Sequence, residues 1–306
     1  MSDVLYAKVQ TRLEQLKCKS MAEQIDTVAE EAAKSEWSYL AFLDRLLEVE
    51  ASARYERDVS MKTKLAHFPF HKDLDAFDFA FQPSVNERQI RQLATGRFIA
   101  HGENVLLLGP PGVGKTHLAI SLGIAAIALR YSVYFLTMVD LLELLNKDAK
   151  EDRLSHRLRT LCKPKLLILD EMGYFPLDRM AAQFLVQLIS RRYQKGSIIL
   201  TSNKSFGEWG DIFTAQVLAS AILDRLLHHS TTINIRANSY RLRQKQKAGL
   251  FPELSSTDKE DSANNDPLSS TRSLTQLCAS IHEGLHASRA VALSAVAPQF
   301  VAFIAG

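Results

Sequence analysis

Eight consecutive residues of this 306-residue chain have the spacing G-x-x-x-x-G-K-[ST]. They are Gly109, Pro110, Pro111, Gly112, Val113, Gly114, Lys115 and Thr116. Glycines in such a loop let successive backbone N–H groups turn toward one anion, which side chains would obstruct. In this arrangement Lys115 reaches the β- and γ-phosphates of a nucleotide, and the Thr116 hydroxyl ligates Mg²⁺. The segment therefore predicts a phosphate-binding P-loop; the alternative is a glycine turn with an incidental lysine.

Two adjacent acids, Asp170 and Glu171, follow the apolar run at 166–169. A strand buried on both faces would hold Asp170 rigidly at the edge of a sheet, where its carboxylate orients Mg²⁺ through water. Glu171 would point toward the γ-phosphate and polarise the attacking water as a general base. Acids after apolar runs are common, and without the P-loop a solvated strand end would explain them equally well.

A polar residue, Asn203, ends another apolar run that begins at residue 198. We expect its amide to hydrogen-bond the γ-phosphate or the attacking water, and so to report on the state of the nucleotide. A turn at the end of a strand is the alternative, because Ser-Asn sequences favour turns.

The elements that must position these residues follow from the pattern of apolar runs. Such runs occur at 105–108, 133–136, 166–169, 198–200 and 232–235, separated by helical stretches. This alternation predicts an α/β domain with a parallel central sheet. The helix that begins after the P-loop, with His117 in its first turn, would direct its positive end at the bound anion.

The rest of the chain divides into further segments. Residues 1–59 predict a small helical N-terminal domain of three amphipathic helices, the second opened by a capping box at Ser20–Glu23 and the third carrying Trp37, Leu40, Leu43 and Leu47 on one stripe. Residues 60–83 form a connector whose five phenylalanines we expect to pack onto the domain at 84–252. Residues 253–306 are a polar linker and an apolar extension of unknown role.

The charge is unevenly distributed, although the net charge is only +3. Residues 61–252 hold 26 Lys and Arg against 16 Asp and Glu, whereas the two flanking segments are acidic. A basic central block suits a polyanion, and solubility alone is the alternative. The three separated cysteines, the charged N-terminus and the short, Pro-containing apolar tail at 290–306 predict a cytoplasmic protein without a membrane span.

Several stretches together resemble the IstB/DnaC branch of the AAA+ ATPases, and within it the IstB-like helper proteins of insertion sequences. They are HFPFHKDLDAFDF, GENVLLLGPPGVGKTHLA, KPKLLILDEMGYFPLD, ILTSNKSFGEW and AILDRLLHHSTTINIRANSYRLR. The resemblance covers about residues 1–250 and is specific in this combination.

The resemblance implies more than the composition does. It implies a parallel five-stranded AAA+ sheet of order 5-1-4-3-2, bound ATP and Mg²⁺, and a nucleotide site shared between subunits of an ATP-dependent oligomer. Arg225 matches the arginine that a neighbouring subunit contributes to the γ-phosphate; a surface ion pair with Asp224 is the alternative. Arg241 is the candidate for the second sensor, although the helical lid that usually carries this residue is not evident in the sequence.

Two basic clusters are candidates for binding duplex DNA through its phosphates, largely independent of base sequence. One comprises Arg236, Arg241, Arg243, Lys245 and Lys247; the other comprises Arg153, His156, Arg157, Arg159, Lys163 and Lys165, in the helical insertion that the resemblance assigns to DNA. Basic residues that merely solvate helix faces are the alternative.

The hypothesis that these observations favour is an ATPase that assembles on duplex DNA with ATP, assists a cognate transposase in selecting and preparing target DNA, and resets on hydrolysis. A DnaC-like loader, which recruits a replicative helicase through its N-terminal segment, is the alternative function. A small-molecule kinase is disfavoured because no acceptor site or lid arginines are evident.

Overall fold

The computed structural model describes residues 2–174, 176–213, 216–236 and 239–240. The predicted linker and extension at 253–306 lie outside these residues. So do four site candidates: Arg241, Arg243, Lys245 and Lys247. Within the described ranges, no helix is both long enough and apolar enough to cross a membrane.

Three helices open the chain: α1 (Ser2–Gln15), α2 (Lys19–Lys34) and α3 (Tyr39–Leu65). They bury a small apolar cluster formed by Met21, Val28 and Leu46. The apolar stripe predicted on the third helix is exposed: Leu40 is 78% exposed, and Leu43 and Leu47 also face solvent. The three predicted helices are present, and the apolar stripe of the third does not pack inside the bundle.

Helix α3 crosses the boundary predicted at residue 59 and continues to Leu65. Its second half lies against the α/β domain, where the Tyr55 hydroxyl donates to the Ala128 carbonyl oxygen at 2.9 Å. The Lys62 ammonium donates to the Arg130 carbonyl oxygen at 2.7 Å. The start of the predicted connector is therefore helical, and it fixes α3 to the domain that follows.

The N-terminus of α2 is capped by a residue from α3. Glu50, which is buried, accepts hydrogen bonds from the backbone N–H groups of Ser20 at 2.9 Å and Met21 at 3.2 Å. Its other oxygen accepts from Arg54 at 2.8 Å and Arg57 at 3.2 Å. Burial acts to raise the pKa of Glu50, but these hydrogen bonds outweigh it and hold the pKa below its usual value. The local capping box predicted at Ser20–Glu23 is wrong, because helix α2 already begins at Lys19 and a distant carboxylate binds its free N–H groups.

Five parallel strands form the central sheet: β1 (Asn104–Leu108), β2 (Val133–Thr137), β3 (Leu166–Met172), β4 (Ser197–Ser202) and β5 (Ser230–Asn234). Their order is β2-β3-β4-β1-β5, which confirms the predicted order 5-1-4-3-2. The helices are α4 (Glu87–Ala94), α5 (Arg97–Ala100), α6 (Lys115–Ala128), α7 (Met138–Lys150), α8 (Leu154–Cys162), α9 (Arg179–Arg192), α10 (Trp209–Ile212) and α11 (Gln216–Leu227).

Both faces of the sheet are covered, which is why its strands read as apolar runs. Along β3, Leu167 and Leu169 pack into the layer that contains α7, α8, α9 and α11, whereas Ile168 packs into the layer that contains α4 and α6. Because all strands are parallel, their carboxyl ends meet at one edge. The P-loop after β1 and the acids of β3 are therefore brought together.

A buried cation fixes the end of α8 to the sheet. The Arg192 guanidinium donates to the carbonyl oxygens of Leu161, Pro164, Lys165 and Ser197 at 2.8–3.2 Å. Burial lowers the pKa of Arg192 to about 10. These bonds hold the segment 161–165 firmly against the start of β4.

Glu50→Ala should lower the free energy of unfolding by about 1–3 kcal/mol, because it leaves two N–H groups and two arginines without their acceptor. The exposed Glu48→Ala on the same helix is the matched control and should change it by less than about 0.5 kcal/mol. Since the folded pKa of Glu50 is depressed, its contribution is present above the unfolded pKa and is lost as pH falls through the folded value. Urea unfolding of both variants at about pH 7 and about pH 3 measures this; equal losses at both pH values would contradict it.

Candidate functional site

The P-loop connects β1 to α6 and depends on two glycines. Gly109 (φ 150°) has no room for a side chain, because a Cβ there would collide with the Ile235 carbonyl oxygen. At Gly114 (φ 99°) a Cβ would lie 2.7 Å from Cε2 of Phe77. At these two positions the neighbouring atoms leave room only for the backbone. A loop that binds an anion through its backbone N–H groups requires such side-chain-free positions.

Lys115, at the start of α6, lies at this cradle. Its ammonium donates to the carbonyl oxygens of Gly109 at 2.7 Å and Pro110 at 2.8 Å, and the residue is buried. The positive charge is thus held beside the N-terminus of a fourteen-residue helix, whose dipole has the same sign there. A phosphate is the ligand that this concentration of positive charge fits.

Oxygen atoms from three elements converge beside the loop. The Thr116 hydroxyl lies 3.1 Å and 3.0 Å from the two carboxylate oxygens of Asp170. The Thr201 hydroxyl donates to Asp170 Oδ1 at 2.5 Å from the other side. Across the described part of the chain no three His, Cys, Asp or Glu side chains converge on a metal position. One carboxylate and one hydroxyl are the protein ligands that fit Mg²⁺ bound together with nucleotide phosphates.

Asp170 is only 2% exposed. Burial raises the pKa of this carboxyl above its usual value, and the hydrogen bonds from Thr201 and Thr116 and the charge of Lys115 offset only part of that rise. The ionised form is thus under-compensated in the protein alone. A divalent cation would supply the missing positive charge.

Glu171 follows with an unusual backbone conformation. Its φ is +65°, and the pairing of β3 with β4 shifts register between Leu169 and Met172. Its backbone N–H donates to the Thr201 hydroxyl oxygen at 2.9 Å instead of continuing the ladder. This bulge places Glu171 in the cavity wall. A non-glycine residue in the left-handed backbone region costs about 1–2 kcal/mol, and the packing of the surrounding sheet must offset this cost.

The structure brings Thr201, and not Asn203, to the cavity wall. Asn203 lies beyond the end of β4, and its Oδ1 is buried against Gly173, with no hydrogen-bond partner among the residues that the structure describes. The contact of Asn203 with the nucleotide stays a prediction. The hydroxyl of Thr201 connects Asp170 to Glu171, a role that the sequence did not suggest.

The cavity beside the P-loop has a volume of about 330 Å³, within the range of small-molecule sites. Its second wall is the connector, which contributes Phe70, Lys72, Ala76, Phe77, Asp78 and Gln82. The expected packing of the connector is confirmed for Phe68, Phe77 and Phe79, which join the core, whereas Phe70 is exposed at the cavity. His117 also lines the cavity, edge-on to Phe77 and with its Nε2 3.1 Å from the Asp73 carbonyl oxygen.

Arg225 does not line the cavity of its own chain. It is half-buried on α11, where its Nη1 donates to the Ala221 carbonyl oxygen at 3.3 Å. Within the described ranges it forms no ion pair with Asp224 or another acid.

The basic residues that are candidates for DNA binding in the insertion between β2 and β3 differ in whether they form ion pairs. Arg157 donates to the buried carboxylate of Asp148 at 2.6 Å, and Arg153 pairs with Asp148 and Glu151, so both already have anionic partners. Arg159 and Lys163 instead share a shallow depression with two residues that no sequence motif singled out, Arg191 and Lys195 at the end of α9. His156, Lys165 and Arg236 are exposed.

The P-loop, the acid at the end of the third strand and the sheet order define an ATP-binding protein of the AAA+ class. The family model of the IstB-like ATP-binding protein matches residues 11–248. The chain is 52% identical over 226 residues to the ATP-binding protein of insertion sequence IS5376 from Geobacillus stearothermophilus, covering 74% of this chain and 90% of that one. It is 44% identical over 254 residues to that of IS21 from Pseudomonas aeruginosa, covering 83% and 96%.

The chain therefore belongs to the IstB-like ATP-binding protein family of insertion sequences. Among solved structures, DnaI is similar over 55% of this chain and 90% of its own, with 20% identity and a TM-score of 0.46.

Asp170→Asn should stabilise the nucleotide-free protein while removing the effect of Mg²⁺ on nucleotide binding. A raised carboxyl pKa means that the ionised form is disfavoured in the folded state at neutral pH, so a neutral amide relieves that cost. If about 1 kcal/mol is regained, Tm rises by about 2–4 °C. Calorimetry without nucleotide tests this, with the exposed Asp44→Asn as control; a fall in Tm would contradict it.

Proposed function

We propose that this chain is a Mg²⁺-dependent ATPase that assembles on duplex DNA with ATP, assists a transposase in selecting and preparing target DNA, and resets on hydrolysis. The observation that carries the proposal is the cluster of Thr116, Asp170 and Thr201, beside which a bulge places Glu171 in the cavity wall. A carboxylate in the cavity wall beside the proposed cation ligands supports hydrolysis, because activating a water requires a base that nucleotide binding alone does not.

Each residue of the cluster has a distinct role in this proposal. The P-loop N–H groups and Lys115 bind the β- and γ-phosphates, exchanging the two carbonyl acceptors of Lys115 for phosphate oxygens. Thr116 and Asp170 hold Mg²⁺, which when bound neutralises charge on the phosphates. Glu171 accepts a proton from the attacking water. Thr201 fixes Asp170 and Glu171 relative to one another through its single hydroxyl.

The position of Arg225 supports a site shared between subunits. Its guanidinium lies outside the cavity of its own chain and is without an acidic partner in the described ranges, so it is available to a neighbouring subunit. Bound ATP would then join two subunits through Arg225, and hydrolysis would release them. Asn203 and His117 remain candidates for contacts that form with the nucleotide, and Arg241 for the second sensor.

Four cations support DNA binding: Arg159, Lys163, Arg191 and Lys195. They come from the ends of α8 and α9, and no ion pair involves them in the described part of the chain. The buried Arg192 fixes both segments, so the cations present a rigid surface to a phosphate backbone. Arg236 is a second candidate. Arg243, Lys245 and Lys247 also remain predictions, whereas Arg153 and Arg157 would first have to leave Asp148.

The partner is proposed from the relatives, which are ATP-binding proteins of insertion sequences. An insertion sequence must place a transposase on target DNA, and an ATP-controlled protein that binds duplex without base readout would serve that step. Tight binding to a replicative helicase together with no binding to duplex DNA would instead favour the loader.

Glu171→Gln should bind ATP normally and lower hydrolysis by about 10²–10⁴-fold, because the amide cannot accept the proton. Arg225→Ala should also bind ATP without hydrolysing it. A mixture of the two variants should regain activity, since some interfaces pair an intact Glu171 with an intact Arg225. Steady-state phosphate release measures all three, with Glu208→Gln as a surface control. Normal hydrolysis by Glu171→Gln would refute the water-activating role, and a mixture without activity would refute the shared site.

The double variant Arg191→Ala/Lys195→Ala should bind random-sequence duplex more weakly in the presence of ATP. Its slope of log affinity against log salt should become shallower by about 0.9 for each phosphate contact removed. Lys8→Ala/Lys34→Ala removes the same charge from the N-terminal helices and is the matched control. Fluorescence anisotropy over a salt series measures the slopes, and equal slopes for the two double variants would exclude this surface.

A further inference from the structure

Gln82 is a buried polar residue in the wall of the cavity beside the P-loop. It lies in the connector, is only 2% exposed and lines the cavity together with Phe77, Gly112 and Val113. Both the nitrogen and the oxygen of its carboxamide are buried, and neither has a hydrogen-bond partner among the described residues. Native proteins nearly always pair such groups, because leaving them unpaired forfeits their hydration without return. A ligand that offers one acceptor and one donor would pair both the nitrogen and the oxygen of this carboxamide.

The backbone around Gln82 is fixed. Its N–H donates to the Phe79 carbonyl oxygen at 3.1 Å, and its own carbonyl oxygen accepts from the Val85 N–H at 3.0 Å. The preceding turn is closed by Asp78, whose carboxylate accepts from the Phe81 N–H at 2.9 Å. The carboxamide is therefore carried by a hydrogen-bonded turn whose backbone is already in place before a ligand binds.

The surroundings suit a flat heteroaromatic ring. Phe77 packs against Gly114, and Phe81 packs edge-on against Tyr240, whose backbone N–H donates to the Gly112 carbonyl oxygen at 3.0 Å. The two walls of the cavity thus differ: Lys115 and Thr116 offer an ammonium and a hydroxyl at the P-loop, whereas the connector offers aromatic surface and the carboxamide of Gln82 in addition to the charged Lys72 and Asp78. A nucleotide has the same division between triphosphate and base.

We propose that Gln82 selects the base of the bound nucleotide. Its Oε1 accepts from the N6 amino group of adenine and its Nε2 donates to N7, the bidentate pairing that a carboxamide makes with this edge. Guanine has acceptors at both O6 and N7, so the hydrogen bond to Oε1 of Gln82 would be lost. This inference rests on the proposed nucleotide site and adds the residue that distinguishes one base from another.

Nucleotide analogues test the pairing on the wild-type chain without any substitution. Purine riboside triphosphate lacks the N6 amino group, and 7-deaza-ATP lacks N7. GTP carries the acceptor O6 in place of the N6 amino group. Each should bind about tenfold more weakly than ATP in calorimetric titrations with Mg²⁺. Inorganic triphosphate reports the phosphate half alone. Equal affinities for ATP and both adenine analogues would overturn the role of Gln82.

Substitution then assigns the pairing to this residue. Gln82→Met keeps the size and removes both hydrogen-bonding groups, so it should bind ATP more weakly than wild type does and no longer prefer ATP over either adenine analogue, while binding inorganic triphosphate as wild type does. It should also raise Tm without nucleotide, because it removes an unpaired buried amide. Gln82→Glu keeps an acceptor for N6 and loses the donor, so it should no longer prefer ATP over 7-deaza-ATP. The exposed Gln92→Met is the matched control.

The outcomes separate this inference from the proposed function. If Gln82→Met binds ATP and its analogues with the wild-type preference, Gln82 does not read the base, and the phosphate site stands. If the wild-type chain binds neither ATP nor inorganic triphosphate, the nucleotide site and the role of Gln82 both fall.

Discussion

The site depends on a carboxylate that the fold removes from water. Asp170 is buried at the end of β3, and its oxygens face the hydroxyls of Thr116 and Thr201. Two neutral hydroxyls and one nearby ammonium do not replace the hydration of a carboxylate, which is why its pKa lies above the usual value. The protein alone therefore carries an electrostatic cost at this point. In the proposed function, a cation bound together with a triphosphate would relieve that cost and so couple the fold to its ligand.

The parallel sheet and the connector supply the two halves of the cavity. The sheet aligns the carboxyl ends of β1, β3 and β4, so the cradle, the acid and the hydroxyl meet without help from the rest of the chain. The connector then passes over the P-loop, with Phe77 against Gly114. Helix α3 leads directly into this connector and is bonded to the same domain. The N-terminal helices and the connector wall of the cavity are therefore linked along one continuous segment.

The sequence predicted what short motifs and apolar runs determine, and it missed what depends on register and on long-range packing. The P-loop and the five parallel strands were predictable from the motif and the apolar runs, whereas the strand order was implied only by the resemblance to the AAA+ ATPases. That Thr201 and not Asn203 reaches the cavity follows from where β4 ends relative to β3. The bulge at Glu171 is likewise a cross-strand feature. Gln82 gave no signal as a single residue; only the five neighbouring phenylalanines indicated that its segment would be buried.

The most direct test of this account is a calorimetric titration of the purified chain with ATP, carried out with Mg²⁺ and again with a chelator. The account predicts saturable binding of one nucleotide per chain that is distinctly tighter when Mg²⁺ is present, because the cation compensates the buried carboxylate. Affinity that is unaffected by Mg²⁺, or no saturable heat at all, would contradict it.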